Sequence, residues 1–263
     1  MPKFEPVPSS FSNPEGKVVV LTGGAHGVGE AVIRYLCATG AHTFFGDIDK
    51  QACQALVDGL EAERFSSGSL DYLHVDVSKY EDNLALFKLA YERHGRVDHA
   101  FSIAGVTERQ NWFEPSLDLK SVEIAPSTTV LDVNLTGLCY FARIATVYLR
   151  QGNDGHKQDK SICLSGSIAS FKEQAGLFIY QPSKHGVIGL MRSTRKMLYH
   201  EPFVGSLMGL AIYVEGGKGW EIEKDLDNAE VHWLGEENAK IEEALGLELD
   251  SKQMTATRCL SSL

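Results

Sequence analysis

Tyr180 and Lys184 stand four residues apart in the run Tyr180-Gln181-Pro182-Ser183-Lys184, downstream of Ser167 and of a glycine-rich stretch that opens at Thr22. Residues four apart on a helix share a face, so the spacing predicts an ammonium group held near a phenolic oxygen. A free tyrosine has a pKa of about 10 and is a poor base at neutral pH. A neighbouring cation favours the phenolate, which is what a group exchanging a proton with an alcohol or a ketone needs. Pro182 is compatible with a helix that starts here, because its missing N–H falls in the first turn, where no intrahelical partner exists anyway.

The second chemical element is the run VVVLTGGAHGVGE from Val18 to Glu30. Gly23, Gly27 and Gly29, with Val28 between the last two, close a tight turn between a buried strand and a helix. Glycine lets backbone amides approach a pyrophosphate, and the following helix turns its N-terminal N–H groups toward it. No Lys-Ser/Thr pair follows, which excludes a P-loop. About twenty residues on, the second strand of such a unit ends in an acid that binds the adenosine ribose hydroxyls, and Asp47 stands there. A carboxylate at that point repels a 2′-phosphate, so NAD is expected rather than NADP, on Asp47 alone. His26, inside the turn, reads as a solvent-facing residue.

These groups need a scaffold, and the chain alternates short β-branched runs with amphipathic helical patterns, the signature of a parallel sheet with helices on its faces. Strands are expected over residues 17–22, 42–46, 70–75, 97–103 and 161–165, and helices over 27–39, 50–63, 80–94 and 129–150. Gly40 and Gly95 fall where helices stop. The fold class is therefore α/β, a Rossmann-like doubly wound parallel sheet. With 263 residues, 43% hydrophobic and 23% charged, the chain suits one such domain with a substantial core. A formal net charge of −10 argues against nucleic-acid or anionic-membrane partners, which attract clustered Lys and Arg, and leaves small molecules. The five cysteines are odd in number and scattered, with no CxxC pair to suggest a metal site, and they read as reduced thiols in the cytoplasm. The opening residues are proline-rich and polar rather than a secretory signal, and no apolar run appears long enough to span a bilayer.

With a TGxxxGxG turn and a YxxxK pair, the chain resembles the short-chain dehydrogenase/reductase family from residue 17 to about residue 199. The resemblance extends to further positions. Asp76, with Val77 beside it, resembles the family residue that contacts the adenine ring. Asn134 falls where the family keeps an asparagine that holds a water in a proton relay, and Ser167 where its serine binds the substrate oxygen. The resemblance implies hydride transfer between a nicotinamide cofactor and a secondary alcohol or ketone. Tyr180 would exchange the proton, Ser167 orient the substrate oxygen, and Lys184 bind the nicotinamide ribose while stabilising the phenolate. The run YQPSKHGVIGLMRS and the extended tail resemble family members of fungal secondary metabolism, which implies a terpenoid or polyketide substrate. By the same analogy a homodimer or homotetramer is expected, through the helices starting at Thr129 and Tyr180.

Two departures from the family stand out. Where members read NNAG after the fourth strand, this chain has Ser102, Ile103, Ala104 and Gly105, so an amide that braces the central sheet is replaced by an apolar side chain. Ala104 and Gly105 still permit close approach of the cofactor. After the tyrosine helix, the family continues into a sixth strand, a Pro-Gly turn and a substrate lid. Here the helix breaks near Pro202 and too few residues remain before Val214, since a βαβ crossover alone needs about a dozen or more. The sheet is expected to lack its usual sixth strand and the lid, with residues 207–214 taking the vacated place or pairing elsewhere. The expected division is an N-terminal extension over 1–16, a dinucleotide-binding domain over 17–217 and an acidic tail over 218–263. In that tail Ile241, Ala244, Leu245 and Leu249 have helix-compatible spacing. Two other functions fit the same residues: a catalytically impaired dinucleotide-binding protein, or a non-redox isomerase or cyclase using Tyr180 and Ser167 for proton transfer.

Overall fold

The computed structural model describes residues 3–4, 14–62, 67–151, 159–200, 212–215, 218–222 and 235. In chain order its elements are β1 (Lys3–Phe4), β2 (Val18–Thr22), α1 (Gly27–Ala38), β3 (His42–Asp47), α2 (Lys50–Ala62), β4 (Ser69–His74), α3 (Tyr80–His94), β5 (His99–Ser102), α4 (Thr129–Leu131), α5 (Leu138–Arg150), β6 (Ser161–Leu164), α6 (Tyr180–His200), β7 (Ile212–Glu215) and β8 (Lys218–Glu221). The chain groups into two units, residues 7–209, and residues 1–6 together with 210–263.

The larger unit holds a five-stranded parallel sheet in the order β4-β3-β2-β5-β6. The expected α/β doubly wound fold is thus the one observed. Side chains of a strand alternate between faces, and β2 shows the consequence. Val18 and Val20 join Phe44, Leu86, Phe87, Phe141 and Leu149 on one face. Leu21 joins Ile33, Phe45, Leu56 and Leu60 on the other. Both faces are covered, so β2 reads as an apolar run, Val18 to Leu21, closed by Thr22, every residue of it fully buried. Gly40 (φ 82°) and Gly95 (φ 68°) end α1 and α3 in the left-handed conformation that glycine tolerates.

The stretch from Thr129 to Arg150 is α-helical at both ends with a π turn over Asp132–Gly137 between α4 and α5. The expectation that no apolar run could span a bilayer is corrected here, since this helix is long and apolar enough by length and composition. Its apolar character serves the core: Leu138, Phe141, Ile144, Ala145 and Leu149 are buried beneath the sheet.

Among the described residues β6 is an edge of the large sheet. In the smaller unit β7 pairs antiparallel with β8, and β8 with β1. Of the run 207–214, the described residues therefore pair with β8 and not with β6, and β7 groups with the C-terminal unit. The reason is local. The register sets Glu215 opposite Lys218, so the two strands are separated in sequence only by Gly216 and Gly217, a pair suited to a two-residue hairpin connection. The helical spacing at Ile241, Ala244, Leu245 and Leu249 lies outside the described residues.

Candidate active site

The candidate site residues gather at the C-terminal end of the parallel strands, where an open α/β sheet offers a crevice. At the end of β2 the chain turns through Gly23, whose N–H donates to the Gly46 carbonyl at 2.8 Å. Gly23 has φ +78°, and a Cβ there would stand 2.4 Å from the Ala104 nitrogen. A Cβ on Gly29 would meet the Gly23 carbonyl oxygen at 1.9 Å. The two glycines thus fold the turn against the start of α1 and against the stretch after β5, with no room for side chains. His26 precedes α1 without capping it; its Nε2 lies 3.1 Å from Asp49 Oδ2. The first N–H groups of α1 therefore receive no acceptor from that side chain, and a pyrophosphate is the group such a helix end accepts. Val28 is largely exposed beside them.

Asp47 closes β3 next to this turn. Its Oδ2 accepts the Ala25 N–H at 3.0 Å and its Oδ1 the Asp49 N–H at 3.0 Å. The Ala52 N–H and His26 hold the Asp49 carboxyl below the usual carboxylate range. Ile48, between the two acids, is 65% exposed. Cys53 lies behind Asp47, and burial, with Asp47 and Asp49 adding to it, pushes its thiol up to about 12, so it is inert packing. Asp76 accepts from the Ser78 hydroxyl at 2.7 Å and the Ser78 N–H at 3.1 Å, contacts that lower its pKa. Val77 is buried beside it.

At the other end of the crevice, α6 carries Tyr180 as its first residue and Lys184 one turn later. The Lys184 Nζ lies 5.7 Å from the centre of the Tyr180 ring and donates to the Ser165 carbonyl at 3.0 Å. Lys184 is only 4% exposed, and burial lowers its pKa. A Cβ on Gly105 would lie 3.7 Å from Lys184 Nζ and 3.4 Å from Asn134 Oδ1, which brings the stretch after β5, the π turn and α6 together at one point. Asn134 is buried within that π turn, a helical irregularity found often at functional positions. Its Oδ1 accepts the Val106 N–H at 2.8 Å, and its Nδ2 donates to the Val106 carbonyl at 2.9 Å and to Ser183 Oγ at 3.2 Å.

Ser167 reaches the same cluster through a relay. It caps a short turn over Ile168–Ser170, accepting the Ala169 N–H at 3.2 Å. Its own N–H donates to Ser170 Oγ, whose hydroxyl donates to the Lys184 carbonyl at 2.8 Å. Ser170, Ser183, Val106 and Glu108 were not singled out by sequence. Ser183 lies inside the YxxxK run and was within reach of a helix-face argument, and Ser170 stands three residues from Ser167; the bonds of Ser170 to Lys184, of Val106 to Asn134 and of Glu108 to the Ile179 N–H span separations that carry no periodic signal.

The family model for short chain dehydrogenases matches residues 17–202. The chain belongs to the short-chain dehydrogenase family. The match closes at the end of α6. Curated relatives in the family include the short-chain dehydrogenase/reductase ascJ of Acremonium egyptiacum, 34% identical over 191 residues, which are 73% of this chain and 60% of the relative. Another is the 5′-hydroxyaverantin dehydrogenase of Dothistroma septosporum, 32% identical over 196 residues, with 69% of this chain and 62% of that protein covered. The chain thus spans about 60% of the length of these relatives, and half that of the short-chain dehydrogenase/reductase prx4 of Penicillium roqueforti. A solved short-chain dehydrogenase/reductase from Burkholderia phymatum, in complex with NAD, aligns over 74% of this chain and 65% of its own with a TM-score of 0.63 and 24% identity. That likeness is one of fold.

Proposed function

We propose that this chain is an NAD-dependent oxidoreductase that moves a hydride between a nicotinamide cofactor and a secondary alcohol or ketone. The observation that carries the reading is the buried Lys184 ammonium, 5.7 Å from the centre of the Tyr180 ring and one helical turn along from it. The glycine cradle at Gly23 and Gly29, the uncapped start of α1 and the Asp47 carboxylate suit a dinucleotide, with Gly27, Val28, Asp76, Val77, Ala104 and Gly105 completing its bed. Asp47 favours NAD; NADP is the second candidate. When bound, the cofactor supplies the hydride acceptor or donor.

Tyr180, as phenolate, takes the hydroxyl proton as the carbinol carbon loses its hydride, and returns it to the ketone oxygen in the reverse direction. Lys184 stabilises the phenolate by its charge. Ser167 Oγ accepts from Ala169, which leaves its O–H free to donate to the substrate oxygen and orient it. Asn134 holds the stretch after β5 against α6 and stands beside Lys184 on the path by which its proton would be replenished. The substrate class in this reading is a terpenoid or polyketide alcohol; the relative named as a dehydrogenase of 5′-hydroxyaverantin supports an alcohol of that size. A homodimer or homotetramer in the cytoplasm completes the reading.

The test is a panel of such alcohols and ketones followed at the NADH absorbance, with NAD and NADP in parallel, on the wild type and on Tyr180→Phe. Turnover is expected with NAD, and the variant should lose about 10²–10⁴-fold in kcat while still binding NADH. A Tyr180→Phe chain that keeps wild-type turnover removes the assignment. One second reading is a dinucleotide-binding protein without turnover, which would change NADH fluorescence yet reduce nothing in the panel; among the described residues no strand pairs with β6 on its outer side.

A further inference from the structure

The tyrosine helix begins with an end that its own residues cannot cap. The first four N–H groups of a helix lack intrahelical acceptors, and a Ser, Thr, Asp or Asn just before the first turn is the usual remedy. Here that place is taken by Ile179, which has no polar side-chain group. The acceptor comes from 71 residues upstream: Glu108 Oε2 accepts the Ile179 N–H at 2.8 Å. The same oxygen accepts the Tyr180 N–H at 3.1 Å. The Gln181 N–H donates to the Leu177 carbonyl at 3.1 Å, and Pro182 has no N–H to satisfy. Every donor of the helix start is then accounted for, and among the described residues Glu108 is the one side chain in that account.

Glu108 is itself held. Two residues before it, both main-chain groups of Val106 bond the amide of Asn134. Five residues after it, Phe113 packs edge-on against Phe178 with ring centres 5.0 Å apart. The other carboxylate oxygen, Oε1, is buried with no hydrogen-bond partner among the described residues, so the polar hold of this side chain is directed at α6. A negative charge at a helix N-terminus is favoured by the helix dipole, and hydrogen bonds to a charged acceptor are stronger than neutral ones.

We propose that Glu108 is a positioning residue for Tyr180. It fixes the first turn of α6 to the stretch that also holds Asn134, so that the phenol, Lys184 and Asn134 keep one mutual geometry. The phenol stands on the first residue of the helix and moves with it. Without the carboxylate, two amides at that end lose their acceptor and the turn re-forms elsewhere; a displacement of about 1 Å at a reacting group can cost about 10²-fold in rate. The inference rests on the hydride-transfer reading of the site.

The experiment compares the full chain with Glu108→Ala and Glu108→Gln. It reads the exchange rates of the Ile179 and Tyr180 amides by NMR, the dissociation constant of NADH by fluorescence, and kcat and KM on an alcohol or ketone the wild type turns over. Alanine is expected to speed exchange of both amides more than about tenfold and to lower kcat about 10- to 10²-fold, with NADH affinity kept within about threefold. Glutamine keeps an oxygen acceptor and should bring exchange and kcat back to within about threefold of wild type. Should the alanine chain not fold, Glu108→Leu, which keeps bulk without an acceptor, gives the same readout. Unchanged exchange in the alanine or leucine chain overturns the proposal, as does a kcat loss that glutamine does not rescue or one that NADH affinity follows in parallel. A wild-type chain that binds NADH and turns over nothing sinks the hydride-transfer reading instead, and the amide exchange still decides whether Glu108 holds the tyrosine helix.

Discussion

Lys184 is an ammonium group with 4% of its surface exposed, and the chain bears a cost for keeping it there. Burial lowers its pKa from the ordinary 10.5. Between that lowered value and 10.5 the unfolded chain binds more protons than the folded one, so stability rises with pH in that window, and below it the cost is present in full. Lys184→Met is therefore expected to gain most over the wild type at neutral pH and to lose that gain as pH climbs. Urea midpoints of both chains at about pH 7 and about pH 9.5 measure this, and a gain that grows with pH would contradict it. A smaller cost sits at Thr22, which is fully buried with an Oγ1 lacking any hydrogen-bond partner among the described residues. It lies at the end of β2 beside Ile103, the apolar replacement for the bracing amide; the Thr22 carbonyl does accept the Ile103 and Ala104 N–H groups, each at 3.0 Å. An unpaired buried hydroxyl costs about 1–3 kcal/mol, so Thr22→Val should raise the unfolding free energy by about 1 kcal/mol. The urea midpoint should move up at constant slope, and a downward move would show the hydroxyl to be satisfied.

At the scale of elements, the glycine turn is where the backbone leaves least choice. A methyl group on Gly29 would sit 1.9 Å from the Gly23 carbonyl oxygen, inside any van der Waals contact, so Gly29→Ala must push the start of α1 away from the end of β2. NADH affinity is expected to fall at least about tenfold, with the far-UV circular dichroism of the helices retained; unchanged affinity would mean that the turn does not hold the dinucleotide. The strands and helices of the larger unit were legible because period 2 and period 3.6 are written into the apolar positions. The observed boundaries of β2, β3, β5 and α1 differ from the sequence expectation by a residue or two, where end residues satisfy both neighbours. The π turn at Asp132–Gly137 was not legible: its extra residue per turn leaves the apolar spacing of the whole helix nearly unchanged. Glu108 was less legible still, since a helix cap drawn from a distant loop has no local pattern.

Across the whole molecule, the two ends of the large sheet do different work. The C-terminal end carries the candidate site, and the N-terminal end is tied by Asp98, which is 5% exposed. Asp98 Oδ2 accepts the Val18 N–H at 2.8 Å and Arg96 Nε at 3.0 Å. Lys160, 2% exposed, stands 4.0 Å from Oδ1 and donates to the Val97 carbonyl, while Arg96 also reaches the Gly16 carbonyl at 2.7 Å. Removing one member of a buried ion pair strands the others, so Asp98→Ala should cost about 3–5 kcal/mol of stability. Thermal unfolding followed by circular dichroism checks this, and NADH affinity measured well below the transition should stay at its wild-type value.

The sequence by itself determined the residue types, their order and the alternation of strand and helix, because these follow from local spacing and from the chemistry of single side chains. It placed Tyr180 and Lys184 on one helix face and set Asp47 at a strand end. Only the tertiary structure decided that Asn134 bonds Val106 and Ser183, that Ser167 reaches Lys184 through Ser170, that Glu108 caps the tyrosine helix, and that Ile212–Glu215 pairs with Lys218–Glu221 rather than beside β6. A hydrogen bond forms only within about 3 Å and a narrow range of angles. Which distant groups meet that condition depends on how the layers pack and on which strands find each other, and neither is encoded at any single position of the chain.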